Sequence, residues 1–119
     1  MKNDHRLLLL LFLCAGCITE LDTDLRNRTV MPLAPADTIV TNDTAHTFFW
    51  NPLEGATQYQ LQIVSPRFDS IAHLVADTLV ATNRVALVLP RSLSYQWRVR
   101  ALNASSSTAY SDTFHLTIR

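Results

Sequence analysis

The chain predicts an all-β fold, an antiparallel sandwich of short strands, and three observations carry that expectation. Apolar and polar residues alternate with period two through much of the sequence after residue 37, the spacing of strands with one buried face. Turn-forming clusters of Asn, Asp, Pro, Gly and Ser separate these runs at short intervals. No stretch keeps a helical spacing long enough to bury one face of a helix. A layered sandwich is the architecture that hides many half-apolar strands at once.

Taken in order, Phe48 and Trp50 form the first apolar row, followed by the turn residues Asn51-Pro52 through Glu54-Gly55. Tyr59, Leu61 and Ile63 then point one way while Gln58, Gln60 and Gln62 point the other, until Ser65-Pro66 breaks the run. Val85, Leu87 and Leu89 make a further row, ended by Pro90 and Ser92. Tyr95, Trp97, Val99 and Ala101 alternate with Gln96, Arg98 and Arg100, up to the cluster Asn103 through Ser107. Finally Phe114, Leu116 and Ile118 alternate with His115, Thr117 and Arg119. Trp50 and Trp97 lie on inward positions and are expected in the core, where a large aromatic buries about 150–250 Å².

The stretch Trp50-Asn51-Pro52-Leu53-Glu54-Gly55-Ala56-Thr57-Gln58-Tyr59-Gln60-Leu61-Gln62-Ile63 resembles the second-to-third strand region of fibronectin type III domains in bacterial surface proteins. Tyr95 through Asn103 resembles their sixth strand, and Tyr110-Ser111-Asp112-Thr113-Phe114 the approach to their last. This resemblance implies an immunoglobulin-like sandwich over residues 35–119 with the third, sixth and last strands side by side. Gln58, Gln60, Gln62, Arg98, Arg100, His115 and Thr117 would then share one face, able to hydrogen-bond a glycan or an envelope protein. A plain solvated sheet surface is the competing reading of the same residues. One departure from the family pattern is Ser105-Ser106-Ser107, where a glycine is often found.

The N-terminus addresses location. Lys2 and Arg6 precede an apolar run from Leu7 to Ile18, twelve residues against the roughly 20 a membrane-crossing helix needs. That is the form of a secretory signal. Leu13-Cys14-Ala15-Gly16-Cys17 resembles the lipobox of bacterial lipoproteins, although the position three before the cysteine, usually Leu, is Cys14. The resemblance implies cleavage before Cys17 and acyl chains on its thiol and amino groups, which gives stable membrane attachment. An ordinary cleaved signal is the alternative. Residues 17–34 are largely polar and end near Pro32 and Pro35, so they are expected to be a flexible tether. Glu20, Asp22 and Asp24 resemble signals that send lipoproteins to the outer face of the outer membrane. The division is therefore 1–16 signal peptide, 17–34 lipidated cysteine and tether, and 35–119 domain.

Composition excludes several functions. Past residue 16 there remain 103 residues, enough for one domain, with eight Arg, no Lys and nine acidic residues. No basic stripe is available to displace counterions from nucleic acid. Cys17 is the only cysteine left, so an internal disulfide is ruled out. His46, His73 and His115 fall on three separate segments, and there is no Gly-x-Ser-x-Gly elbow or phosphate-binding Gly loop; no metal, cofactor or enzymatic activity is expected. Asp37-Thr38, Asp43-Thr44, Asp69-Ser70 and Asp77-Thr78, each followed by a small or aliphatic residue, resemble an O-glycosylation motif of exported bacterial proteins. That makes Thr38, Thr44, Ser70 and Thr78 candidate acceptors, with turn chemistry of the aspartates as the alternative. The expected function is a lipid-anchored outer-membrane module for binding or adhesion. The alternative is a ligand-free spacer that packs through its sheet edges.

Overall fold

The computed structural model describes residues 22–119; the expected signal peptide and Cys17 lie outside the described residues. Eight strands follow one another: β1 (Pro32–Ala34), β2 (Ile39–Thr41), β3 (Ala45–Trp50), β4 (Gln58–Arg67), β5 (Ser70–Val80), β6 (Arg84–Val88), β7 (Leu93–Leu102) and β8 (Phe114–Ile118). They form a three-stranded sheet in the order β1-β3-β6 and a five-stranded sheet in the order β2-β8-β7-β4-β5. Every pairing is antiparallel except β2 with β8. Among the described residues no helix is long and apolar enough to cross a membrane.

The period-two pattern sets which side chains meet between the sheets. Phe48 and Trp50 of β3 face Leu61 and Ile63 of β4, Trp97 and Val99 of β7 and Ile118 of β8, all fully buried. Trp97 meets Phe48 and Phe114 edge-on, with ring centroids 5.3 and 5.4 Å away. Trp50 lies tilted against Tyr59 at 5.5 Å. The polar ends of the buried tyrosines are spent on loops. Tyr59 Oη accepts the Leu53 N–H at 2.9 Å, and Tyr95 Oη donates to the Pro90 carbonyl at 2.6 Å. The second bond ties the corner between β6 and β7 to the start of β7, as a tyrosine corner does in immunoglobulin-like sandwiches. Burial pushes the Tyr95 phenol above its ordinary pKa.

Part of the expected tether belongs to the folded body. Leu25 is fully buried and Val30 is 3% exposed, both in the main core, and Pro32–Ala34 pairs with β3. The reason is at the end of the sandwich where β3 turns into β4 and β7 ends: Leu25 fills the gap between the sheets there. Its N–H donates to Ser106 Oγ at 3.0 Å, and Asn103 Nδ2 donates to the Thr23 carbonyl at 2.6 Å. The serine loop closes without glycine, because Asn103 Oδ1 accepts the N–H groups of Ser105 and Ser106 at 3.1 and 2.8 Å.

Gly55 is fixed by this N-terminal strap. Its φ is +88°, and a Cβ there would come within 2.5 Å of Thr23 Cβ. Gly55→Ala should therefore cost about 1–3 kcal/mol through a strained φ and displacement of the strap. Denaturant unfolding of the two proteins side by side measures it. A Thr23→Gly background should recover the steric part and leave the conformational part.

Candidate functional site

Strand register builds the polar face. Gln60 lies opposite Arg100 and Gln62 opposite Arg98, while the intervening Leu61–Val99 and Ile63–Trp97 pairs point into the core. Because β8, β7 and β4 are consecutive in one sheet, the seven residues proposed from sequence share its outer side. Four of them interact directly. Gln62 Oε1 accepts Arg98 Nε and Nη2 at 3.0 and 2.9 Å, and Gln60 Oε1 accepts Arg100 Nε at 2.8 Å. Gln60 Nε2 in turn donates to Asp77 Oδ1 of β5 at 2.7 Å. Gln58 is exposed at the lower end, opposite Leu102, and Thr117 lies toward the upper end, opposite Ser94.

Two aromatic residues complete the centre. Arg98 Cζ lies 4.1 Å from the Phe68 ring centroid and 4.2 Å from that of Tyr110, and Arg100 Cζ lies 4.9 Å from Tyr110. Phe68 is placed by its own N–H, which donates to Gln96 Oε1 at 2.9 Å. Val64, opposite Gln96 and so on the outer side, is only 1% exposed. Arg98 and Arg100 are thus half-buried, each with its guanidinium over an aromatic ring and bonded to a glutamine amide. Among the described residues no carboxylate lies within 4.0 Å of either. Phe68 was not singled out in the sequence and Tyr110 only as part of the approach to the last strand, not of the face, because both sit in connecting segments where alternation gives no direction.

His115 shares the face but is engaged elsewhere. Its ring Nδ1 lies 2.9 Å from Asp37 Oδ1, and its backbone N–H donates to the same oxygen at 2.7 Å. This contact fastens the turn before β2 to β8. Partial burial pushes Asp37 upward, but the hydrogen bonds and charge of His115, with the Thr38 N–H, outweigh it and leave the carboxyl below its ordinary value. A depressed folded-state pKa means the carboxylate stabilises the fold above the ordinary value of 3.8 and loses that effect as pH falls through the folded value. Asp24, held at about 2 by the side chain and backbone N–H of Arg26, titrates on the same limb. Asp37→Asn should therefore flatten the fall in unfolding midpoint below about pH 4. Midpoints measured from pH 2 to 6 on both proteins test this, and an unchanged acid limb would assign it to other groups.

The four Asp-Ser/Thr positions divide by exposure. Thr38 lies exposed in the turn before β2 with φ 64°, and Ser70 lies exposed at the start of β5. Thr44 and Thr78 are half-buried. Asp37, Asp69 and Asp77 serve local structure, through His115, an exposed ion pair with Arg67 at 3.3 Å, and Gln60 respectively. No group of three His, Cys, Asp or Glu side chains converges among the described residues. His46 lies on β3, His73 on β5 and His115 on β8.

This geometry matches known solved structures. The fibronectin type III domain of the human collagen alpha-1(XX) chain superposes with a TM-score of 0.55 at 20% identity, over 76% of this chain and 86% of that one. The fold is that of a fibronectin type III domain. The twitchin kinase region from C. elegans matches with a TM-score of 0.53 at 15% identity over 76% of this chain, which spans only 17% of that larger protein. A structure described as a myokine matches with a TM-score of 0.50 at 14% identity, over 77% of this chain and all of that one. No family model matches the sequence, and no curated protein resembles it closely enough to count as a match. In fibronectin type III terms, the candidate face is the exposed side of the larger sheet.

Proposed function

We propose that this chain is a lipid-anchored binding module of the bacterial cell envelope. Residues 1–16 act as the signal peptide, Cys17 carries the acyl chains, and the fibronectin type III domain presents its larger sheet to a partner. The anchoring rests on the lipobox-like Leu13-Cys14-Ala15-Gly16-Cys17, and the outer membrane on the acidic Glu20, Asp22 and Asp24 that follow it. The binding role rests on Arg98 and Arg100: two half-buried cations held in fixed positions with no carboxylate beside them among the described residues. A spacer domain has no need of such cations, and a pure stability device would normally pair them with acids. If the exported chain is O-glycosylated, the exposed Thr38 and Ser70 are the favoured acceptors.

Anchor and face are tested separately. Cys17→Ala should move the full-length protein from the membrane pellet to the soluble fraction and abolish incorporation of labelled fatty acid. Retention in the pellet through salt and carbonate washing would remove the lipoprotein reading. For the face, Arg98→Ser with Arg100→Ser should lower retention of the soluble Cys17→Ala protein on washed envelopes. Equal retention of a folded double variant would favour the spacer reading, in which the domain packs through its sheet edges.

A further inference from the structure

The sheet face also carries information about what it binds, and this inference rests on its being a binding surface. We propose that it takes an acidic segment of a partner protein, with carboxylates on Arg98 and Arg100 and aliphatic side chains on Leu74 and Leu79. The arginines supply the charge half of the argument. Gln62 uses Nε and Nη2 of Arg98, and Gln60 uses Nε of Arg100, so the remaining N–H groups carry no hydrogen bond among the described residues. Asp77, the acid on this side of β5, is occupied by Gln60. Contact with the Phe68 and Tyr110 rings, together with the glutamine bonds, restrains the guanidinium groups beforehand, which cuts the ordering cost of a grip on a carboxylate.

Apolar neighbours decide between a protein and a glycan. Leu79 lies opposite Gln60 and Leu74 opposite Val64, so both stand on the outer side of β5, two strands or about 10 Å from the arginines. They are 55% and 60% exposed. Aliphatic contacts beside arginine and aromatic residues are the composition of a protein-binding patch. A sugar platform instead offers open aromatic faces, and here the Phe68 and Tyr110 rings are already in contact with guanidinium groups. Pairing of a partner along the β5 edge is disfavoured, because register shifts between Ile63 and Val64 and between Ser65 and Pro66 break the even spacing that edge addition requires.

The test uses the full-length protein in detergent micelles and three labelled probes: a peptide alternating Asp and Leu, its Asn-Leu counterpart, and an oligogalacturonate that carries carboxylates on a sugar chain. The Asp-Leu peptide should bind, and the Asn-Leu peptide should bind at least about tenfold more weakly. Arg98→Ser with Arg100→Ser should lose the Asp-Leu peptide by a similar factor. Since those arginines also pack, Leu74→Asp and Leu79→Asp provide a second arm: both sites are exposed, the fold should survive, and the added charge should repel the acidic peptide. Arginine-dependent binding of the oligogalacturonate without the peptide would overturn the inference and leave the binding-module reading intact. Binding of neither probe, or peptide binding indifferent to all these substitutions, would also overturn it. Envelope retention then judges the broader reading on its own.

Discussion

Leu25→Ala should destabilise the domain by about 2–5 kcal/mol, the usual cost of emptying a buried leucine site. Leu25 lies outside any regular strand, yet it is fully buried in the main core. Releasing the strap is the most that this substitution can do. A chain that begins at residue 35, lacking Leu25, Val30 and β1 altogether, should therefore lose at least as much. For a small domain with total stability of some 5–15 kcal/mol, that shifts the truncated form toward partial unfolding at ambient temperature. Denaturant titration of chains starting at residues 22 and 35, with Leu25→Ala in the longer one, gives the comparison. Equal midpoints for the two lengths would mean that the strap contributes nothing to the fold.

This result bears on how a domain boundary is read from sequence. The strands β4, β7 and β8 were legible because one face of each is buried along its length, so Tyr59, Leu61 and Ile63 or Tyr95, Trp97 and Val99 alternate cleanly with polar neighbours. Residues 22–34 contribute isolated anchors instead of a pattern. Leu25 and Val30 are five positions apart in the core cluster, and the hydrogen bonds that hold the strap, Leu25 N–H to Ser106 and Asn103 to the Thr23 carbonyl, reach some 80 residues along the chain. Local periodicity carries no trace of such pairings, and two nearby prolines made the segment look like a linker.

β5 was hidden for a different reason. It is an edge strand with two register shifts against β4, and each shift resets the alternation, leaving Ile71, Leu74 and Leu79 three and five residues apart, off the period-two spacing of a strand. The candidate face was half legible. That Gln60 and Arg100 share a face followed from the alternation and the strand order the resemblance implied, whereas their direct pairing is set by the register and Phe68 and Tyr110 come from loops whose direction is set by tertiary packing. His115 lies where the pattern put it, but its hydrogen-bonding capacity goes to Asp37, which is 78 residues away in sequence.

Trp97→Ala should produce the largest loss of any single side chain, about 3–5 kcal/mol. Trp97 has no exposed surface, stands opposite Ile63 on β4 and Phe114 on β8, and takes edge contacts from Phe48 and Phe114. It therefore joins both sheets, and an alanine there removes the edge contact with Phe48, one of those that hold the three-stranded sheet to the five-stranded one. Its indole Nε1 has no hydrogen-bond partner among the described residues, so what it contributes is apolar burial and ring packing. Trp97→Phe should accordingly cost much less than Trp97→Ala, since it keeps an aromatic edge toward Phe48 and removes a buried donor that brings no compensating bond. Equilibrium unfolding of the two variants separates these contributions. Comparable losses for Phe and Ala would show that shape at this site outweighs aromatic burial, and a loss below about 1 kcal/mol for Ala would be incompatible with the register that places Trp97 between the sheets.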